Sequence, residues 1–84
     1  VIYPTIHLNG TSRKDLQADN HRGIDTLRQA IRALEQTGPN GRDYYPQGPS
    51  AITQAIEEHE DRLSRLLAVY GELIELQEFL YREN

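Results

Sequence analysis

The side chains best able to hold or transform a polar ligand gather in two short strings of this chain. The first is Ile6-His7-Leu8-Asn9-Gly10-Thr11-Ser12, followed at once by Arg13 and Lys14. The second is Asn40-Gly41-Arg42-Asp43-Tyr44-Tyr45-Pro46-Gln47-Gly48. In the second string Asn40 and Gly41 shape a turn, and Arg42 carries a planar fork of donors suited to phosphate or carboxylate. Tyr44 or Tyr45 offers a ring on which a base can stack and a hydroxyl that can bond. One of the two is expected to pack inward, and Asp43 adds a polar contact. In the first string, alternation along an extended segment puts Ile6 and Leu8 on one face and His7 and Asn9 on the other. Asn9, Gly10 and Thr11 precede a helix start, where unsatisfied backbone N–H groups attract anions. Arg13 adds positive charge there. Taken alone, Asn-Gly-Thr is also an ordinary capping turn.

Catalysis and metal binding find less support in these residues. Ser12, His7 and Asp43 can be written down as a Ser–His–Asp set, but no nucleophile-elbow context accompanies them. Thr11, Ser12 and Ser50 sit near helix starts, where capping is the commoner task of a hydroxyl. No catalytic residue is assigned, and the chain is expected not to be an enzyme. His7, His21 and His59 are not spaced as a helical metal-binding pair or a zinc motif. With no cysteine in the chain, neither a thiolate site nor a disulfide framework can form. No metal and no cofactor are expected.

The elements that position the two strings follow from periodicity. Residues 1–10 are rich in β-branched, aromatic and proline residues and read as an extended arm. Ser12 with Asp15 forms a capping pair for a first helix over 13–36, carried by Leu16, Gly23/Ile24, Leu27, Ile31 and Leu34. Asn20 falls on that otherwise apolar stripe and is read as specifying an interface hydrogen bond. Gly38-Pro39 stops the helix. The stretch 38–49, dense in glycine and proline, is a constrained loop long enough to carry function. Ser50 is the expected cap of a second helix over 50–82, with Glu57, Glu58, Glu60 and Asp61 on the side that suits its dipole. Ile52, Ile56, His59, Leu63, Leu66, Tyr70, Leu73, Gln77 and Leu80 alternate four and three apart as a heptad seam. His59 then reads as a hydrogen-bonded interface histidine.

The second half of that helix asks for more cover than the first helix can give. Leu66, Leu67, Val69, Tyr70, Leu73, Ile74, Leu76, Phe79, Leu80 and Tyr81 leave little polar face, which implies burial on several sides. Other copies of the chain are the economical cover, so a helical homo-oligomer through Leu66 to Tyr81 is expected. Gly71 costs about 1 kcal/mol of helix propensity relative to Ala, and close approach of another backbone would explain it. The fold class is therefore all-α: a helical hairpin of a short and a long helix behind an extended N-terminal segment. With 84 residues, the chain is one small domain over 1–84.

Composition narrows the partners. A net charge of −4 argues against a general binder of nucleic-acid polymers. No apolar run approaches the roughly 20 residues that cross a bilayer, and no signal-peptide pattern is present, so a cytoplasmic protein without a membrane partner is expected. The absence of any Met suggests that a few residues, or a tag, precede Val1.

The two strings, separated by one helix and followed by a long one, resemble those of small phage and prophage proteins of similar length. The resemblance spans nearly the whole chain, and the strings together are more specific than either alone. Among short helical phage proteins that oligomerise, one role is the sequestering of nucleotide second messengers made by bacterial immune systems. By that analogy the expected function is an anti-defence sponge for a cyclic-oligonucleotide or cyclic-ADP-ribose type of signal, acting in the host cytoplasm. The alternative is a helical interaction module that inhibits or bridges a host protein. The strings lie at opposite ends of the first helix, about 35 Å apart. In an antiparallel pair of hairpins, however, one copy's His7–Arg13 string can lie beside its neighbour's Asn40–Tyr45 string. Composite sites repeated by symmetry would follow.

Overall fold

The computed structural model describes residues 1–82; residues 83 and 84 of the expected 1–84 domain lie outside the described residues. It is an all-helical hairpin, with no strand among the described residues. Helix α1 spans Arg13–Glu35 and helix α2 spans Pro49–Tyr81. The hairpin is slender, measuring 61 × 19 × 19 Å.

Local chemistry explains where each helix starts. Ser12 has extended backbone geometry and its side chain accepts a 3.1 Å hydrogen bond from the Asp15 N–H, the expected cap of α1. At α2 the expected cap is displaced. Gly48, at φ +103° and ψ 166°, is the N-cap, Pro49 takes the first helical position, and no side chain caps the end. Proline is favoured at that first position because its missing N–H is one that the helix leaves unpaired anyway. Ser50 falls inside the helix as a result. The acidic residues from Glu57 onward also begin beyond the first turn, which carries no acid, so the helix dipole barely reaches them.

Ile24 and Ile31 of α1 and Leu80 of α2 are the buried hydrophobic residues among those described, Leu80 fully so. Half-buried Leu63, Leu66, Tyr70 and Leu73 continue the seam along α2. Ile56, expected on that seam, is 40% exposed, and Ala55 is turned further inward in its place.

The base of the hairpin is locked by polar groups. The Asn20 amide donates to the Leu73 carbonyl at 3.0 Å and to Gln77 Oε1 at 2.8 Å, while Gln77 donates to the Gln17 carbonyl at 3.2 Å. Arg13 and Gln17 both donate to the Leu80 carbonyl, at 3.0 and 2.8 Å. That carbonyl belongs to the last turn of α2, which has no helical partner for its acceptors, and a cation suits the negative end of the helix dipole. The interface hydrogen bond read from Asn20 is thus made within the chain.

The arm doubles back across the same base. Tyr3 stacks on Phe79 with ring centroids 4.5 Å apart and planes 8° apart, and its hydroxyl donates to Glu75 at 2.6 Å. Part of the apolar surface assigned from sequence to other copies is therefore covered by the chain's own N-terminus. The bond to Glu75 is the first cause that raises the Tyr3 hydroxyl above its ordinary pKa of 10.0; loss of solvation and the Glu75 charge act in the same direction.

Two outcomes are expected. Asn20→Ala leaves the Gln77 amide oxygen without its donor and should cost about 1–2 kcal/mol, read as a fall of roughly 5–15 °C in Tm. Because the folded pKa of Tyr3 is raised, its contribution is fully present below pH 10 and is lost as pH rises through the raised value. The stability difference between wild type and Tyr3→Phe should therefore shrink above pH 10 in an alkaline denaturation series.

Candidate functional site

The loop between the helices is folded rather than slack. Thr37 closes α1 by donating its hydroxyl to the Leu34 carbonyl at 3.2 Å. Asn40 Oδ1 then accepts from the Arg42 N–H at 3.0 Å and opens a 3-10 turn over Gly41–Asp43. A second 3-10 turn over Tyr45–Gln47 follows, and Gly48 N–H bonds to the Tyr45 carbonyl at 3.2 Å. These bonds tie most of the loop's backbone to itself, so its side chains leave a fixed frame. Sequence anticipated a constrained loop but not its two consecutive 3-10 turns, since such short pieces have no periodicity to detect.

The frame faces α2 across a cleft of about 370 Å³. Asn40, Asp43 and Tyr44 line it from the loop, and Glu58, His59 and Arg62 line it from α2. Tyr44 also borders a smaller depression of about 200 Å³ with Gln47 and Gln54, so it stands as a divider between the two. Tyr44 is the half-buried member of the tyrosine pair, while Tyr45 is 76% exposed and lies outside the cleft lining, as does exposed Arg42. His59 is half-buried and packs beside Gly38: a Cβ placed on that glycine would lie 3.6 Å from His59 Nε2. The ring is held at the bend of the hairpin, against the loop of its own chain. Arg62 lies 3.9 Å from Glu58, with both side chains more than half exposed. Such a pair is weak and leaves the guanidinium free to turn toward a ligand.

The first string sits at the other end of the molecule. Gly10 N–H bonds to the His7 carbonyl at 3.1 Å, closing a turn in which the imidazole folds over Gly10. A Cβ at Gly10 would come within 2.8 Å of His7 Nε2. His7, Asn9, Gly10 and Thr11 are all exposed. Arg13 is half-buried, with its guanidinium directed to the Leu80 carbonyl. The structure brings together Asn40, Asp43 and Tyr44, keeps Arg42 and Tyr45 beside them on the surface, and holds the first string beyond the far end of α1.

Glu58, His59 and Arg62 entered the cleft without being chosen from sequence. Their signal was antiparallel pairing itself, which sets the start of α2 against the loop that precedes it. Chemically the cleft offers acceptors on Asp43 and Glu58, an aromatic ring on Tyr44 and a cation on Arg62. The Thr37 hydroxyl beside them is committed to the α1 carbonyl. Among the described residues, no group of three or more His, Cys, Asp or Glu could hold a metal ion, and no helix is long and apolar enough to cross a membrane.

The hinge from this loop into α2 is Gly48, whose φ of +103° and ψ of 166° fall in a region almost closed to side chains. Gly48→Ala is expected to cost about 1–3 kcal/mol, measured by urea denaturation, although a Cβ there would meet nothing within 4 Å. Comparison with protein-family models, with curated proteins and with solved structures gives no match, so the functional reading rests on the geometry above.

Proposed function

We propose that this protein binds and sequesters a small nucleotide-derived ligand without transforming it. The observation that carries this reading is the loop-end cleft, where Asp43, Tyr44, Glu58 and Arg62 converge on about 370 Å³. In this reading Tyr44 takes the face of a base, worth about 1–3 kcal/mol per base stacked. Asp43 and Glu58 accept from amino or ribose hydroxyl groups. Arg62 meets phosphate through bidentate bonds, and Arg42, exposed on the loop turn outside the cleft lining, serves the part of the ligand that extends past the cleft. The volume is at the small end for ligand sites, so a cyclic dinucleotide, cyclic trinucleotide or cyclic-ADP-ribose type of ligand would extend past it.

In a homo-oligomer the overhang has a receiver. A neighbouring copy's His7, Asn9, Gly10 and Thr11 are exposed polar groups not used by their own hairpin's seam, and they complete the site between subunits. Arg13 stays with the Leu80 carbonyl and supports that string from behind. Assembly through α2, over Leu66 to Tyr81, belongs to the same proposal. Such a protein fits a phage-encoded sponge that lowers the free concentration of a host immune signal.

Calorimetry against cyclic di- and trinucleotides, ADP-ribose derivatives and mononucleotides tests the reading. Binding of at least one with submillimolar affinity is expected, unchanged ligand should be recovered, and Tyr44→Ala should weaken affinity at least tenfold at unchanged oligomer mass. Absence of heat with every ligand overturns the proposal. Capture of a stoichiometric host protein in that case favours an interaction module instead, and turnover of ligand would make the cleft an active site.

A further inference from the structure

His59 lines the cleft from α2, half-buried, one residue past Glu58 and three before Arg62. Its ring lies against Gly38, with Nε2 3.6 Å from where a Cβ on that glycine would stand. Filling that space does not by itself call for an imidazole, since the next seam positions of α2 are Leu63 and Leu66. No hydrogen bond among the described residues engages either ring nitrogen, and no buried side-chain nitrogen there lacks a partner, so both stay in reach of solvent.

The charges that face the ring decide what a proton on it does. The loop brings Asp43 and the Tyr44 hydroxyl, and α2 brings Glu58 and Arg62. The end of α1 runs into Thr37, Gly38 and Pro39, which carry no charge. With His59 neutral, two carboxylates against one guanidinium leave the cleft with a net charge of −1. That sign opposes a phosphate. A proton on His59 cancels it and sets a second cation one turn from Arg62, on the same side of α2. Arg62 itself is only loosely held, 3.9 Å from Glu58. An imidazolium donates from both ring nitrogens, and histidine is the side chain whose charge ordinarily changes between pH 5 and 8.

We propose that His59 and Arg62 together seat the phosphate of the ligand, and that the proton on His59 gates its binding. The inference rests on the nucleotide-binding reading of the cleft and deepens it by naming a second phosphate contact and its regulation. Phosphate and proton each raise the affinity for the other, as linkage requires. Ligand is held more tightly as pH falls toward 6 and released as pH rises toward 8.

Calorimetry of the full chain at pH 6, 7 and 8, above its isoelectric point of about 5.2, provides the test. The probes are the cyclic di- and trinucleotides and ADP-ribose, whose phosphodiester and pyrophosphate groups keep their charge over this range. Affinity should rise roughly fivefold or more from pH 8 to pH 6, with net proton uptake at pH 7 read from buffers of different ionisation enthalpy. His59→Gln should abolish both effects with its helical circular dichroism intact, and His7→Gln and His21→Gln should change neither. Should His59→Gln unfold, proton NMR of the wild-type ring decides instead: its titration midpoint should move up when ligand is added, and a fixed midpoint overturns the gate. Absence of heat with every probe at every pH overturns this inference together with the proposed function. Binding without proton uptake, or a pH dependence that survives His59→Gln or is lost with His7→Gln, overturns this inference alone.

Discussion

A hairpin of two helices has one shared seam, and a purely apolar seam can slide by a turn at little cost because one leucine replaces another. The groups that resist sliding here are polar. Asn20 reaches both the Leu73 carbonyl and the Gln77 amide, and Gln77 reaches back to the Gln17 carbonyl. A shift of one turn, about 5.4 Å, would strand every one of these groups in a half-buried place, and each stranded group costs more than its bond contributes. Arg13 and Gln17 then tie the start of α1 to the end of α2 through a single carbonyl. With the base fixed in register, the position of Glu58, His59 and Arg62 under the loop follows from helix length alone.

The two ends of the hairpin are held by different means. At the base, side chains cross between helices and the arm adds the Tyr3 stack on Phe79. At the bend, the loop holds itself through its 3-10 turns and the Asn40 side chain, and touches α2 mainly around His59 and Tyr44. A self-held loop can leave a gap beneath it without unravelling. A cleft is therefore found at the bend.

Much of the architecture was legible in the sequence for physical reasons that can be named. Three- and four-residue spacing of Ile24, Leu27, Ile31 and Leu34 exposes a helix because only a period of 3.6 makes them neighbours. Ser12 with Asp15, and Gly38-Pro39, mark ends through backbone donors and a missing one. Ser50 misled because a hydroxyl before a helical pattern reads as a cap, whereas Gly48-Pro49 one step earlier already satisfies the chain's geometry. The cleft was half legible. Asn40, Asp43 and Tyr44 stood out as loop residues, but Glu58 read only as an acid suited to the helix dipole and Arg62 carried no signal until the fold set them opposite the loop. Tyr3 on Phe79 joins residues too distant in sequence for any local pattern to reveal.

The distribution of arginines connects these points. Arg13 is spent on a helix carbonyl, and Arg28 lies 5.9 Å from the centre of the Tyr70 ring while bonding its hydroxyl at 3.3 Å. Arg22 and Arg65 pair with acids on their own helices. Arg62, loosely paired, and Arg42, exposed on a loop turn, are the guanidinium groups least engaged near a cleft. A ligand's phosphate gains most where it displaces the weakest existing partner, because the loss of that partner is subtracted from the gain. By that criterion the proposed anion contact favours the bend, beside Tyr44, even though the helix N-terminus with Arg13 and Lys14 carries the denser positive charge in sequence.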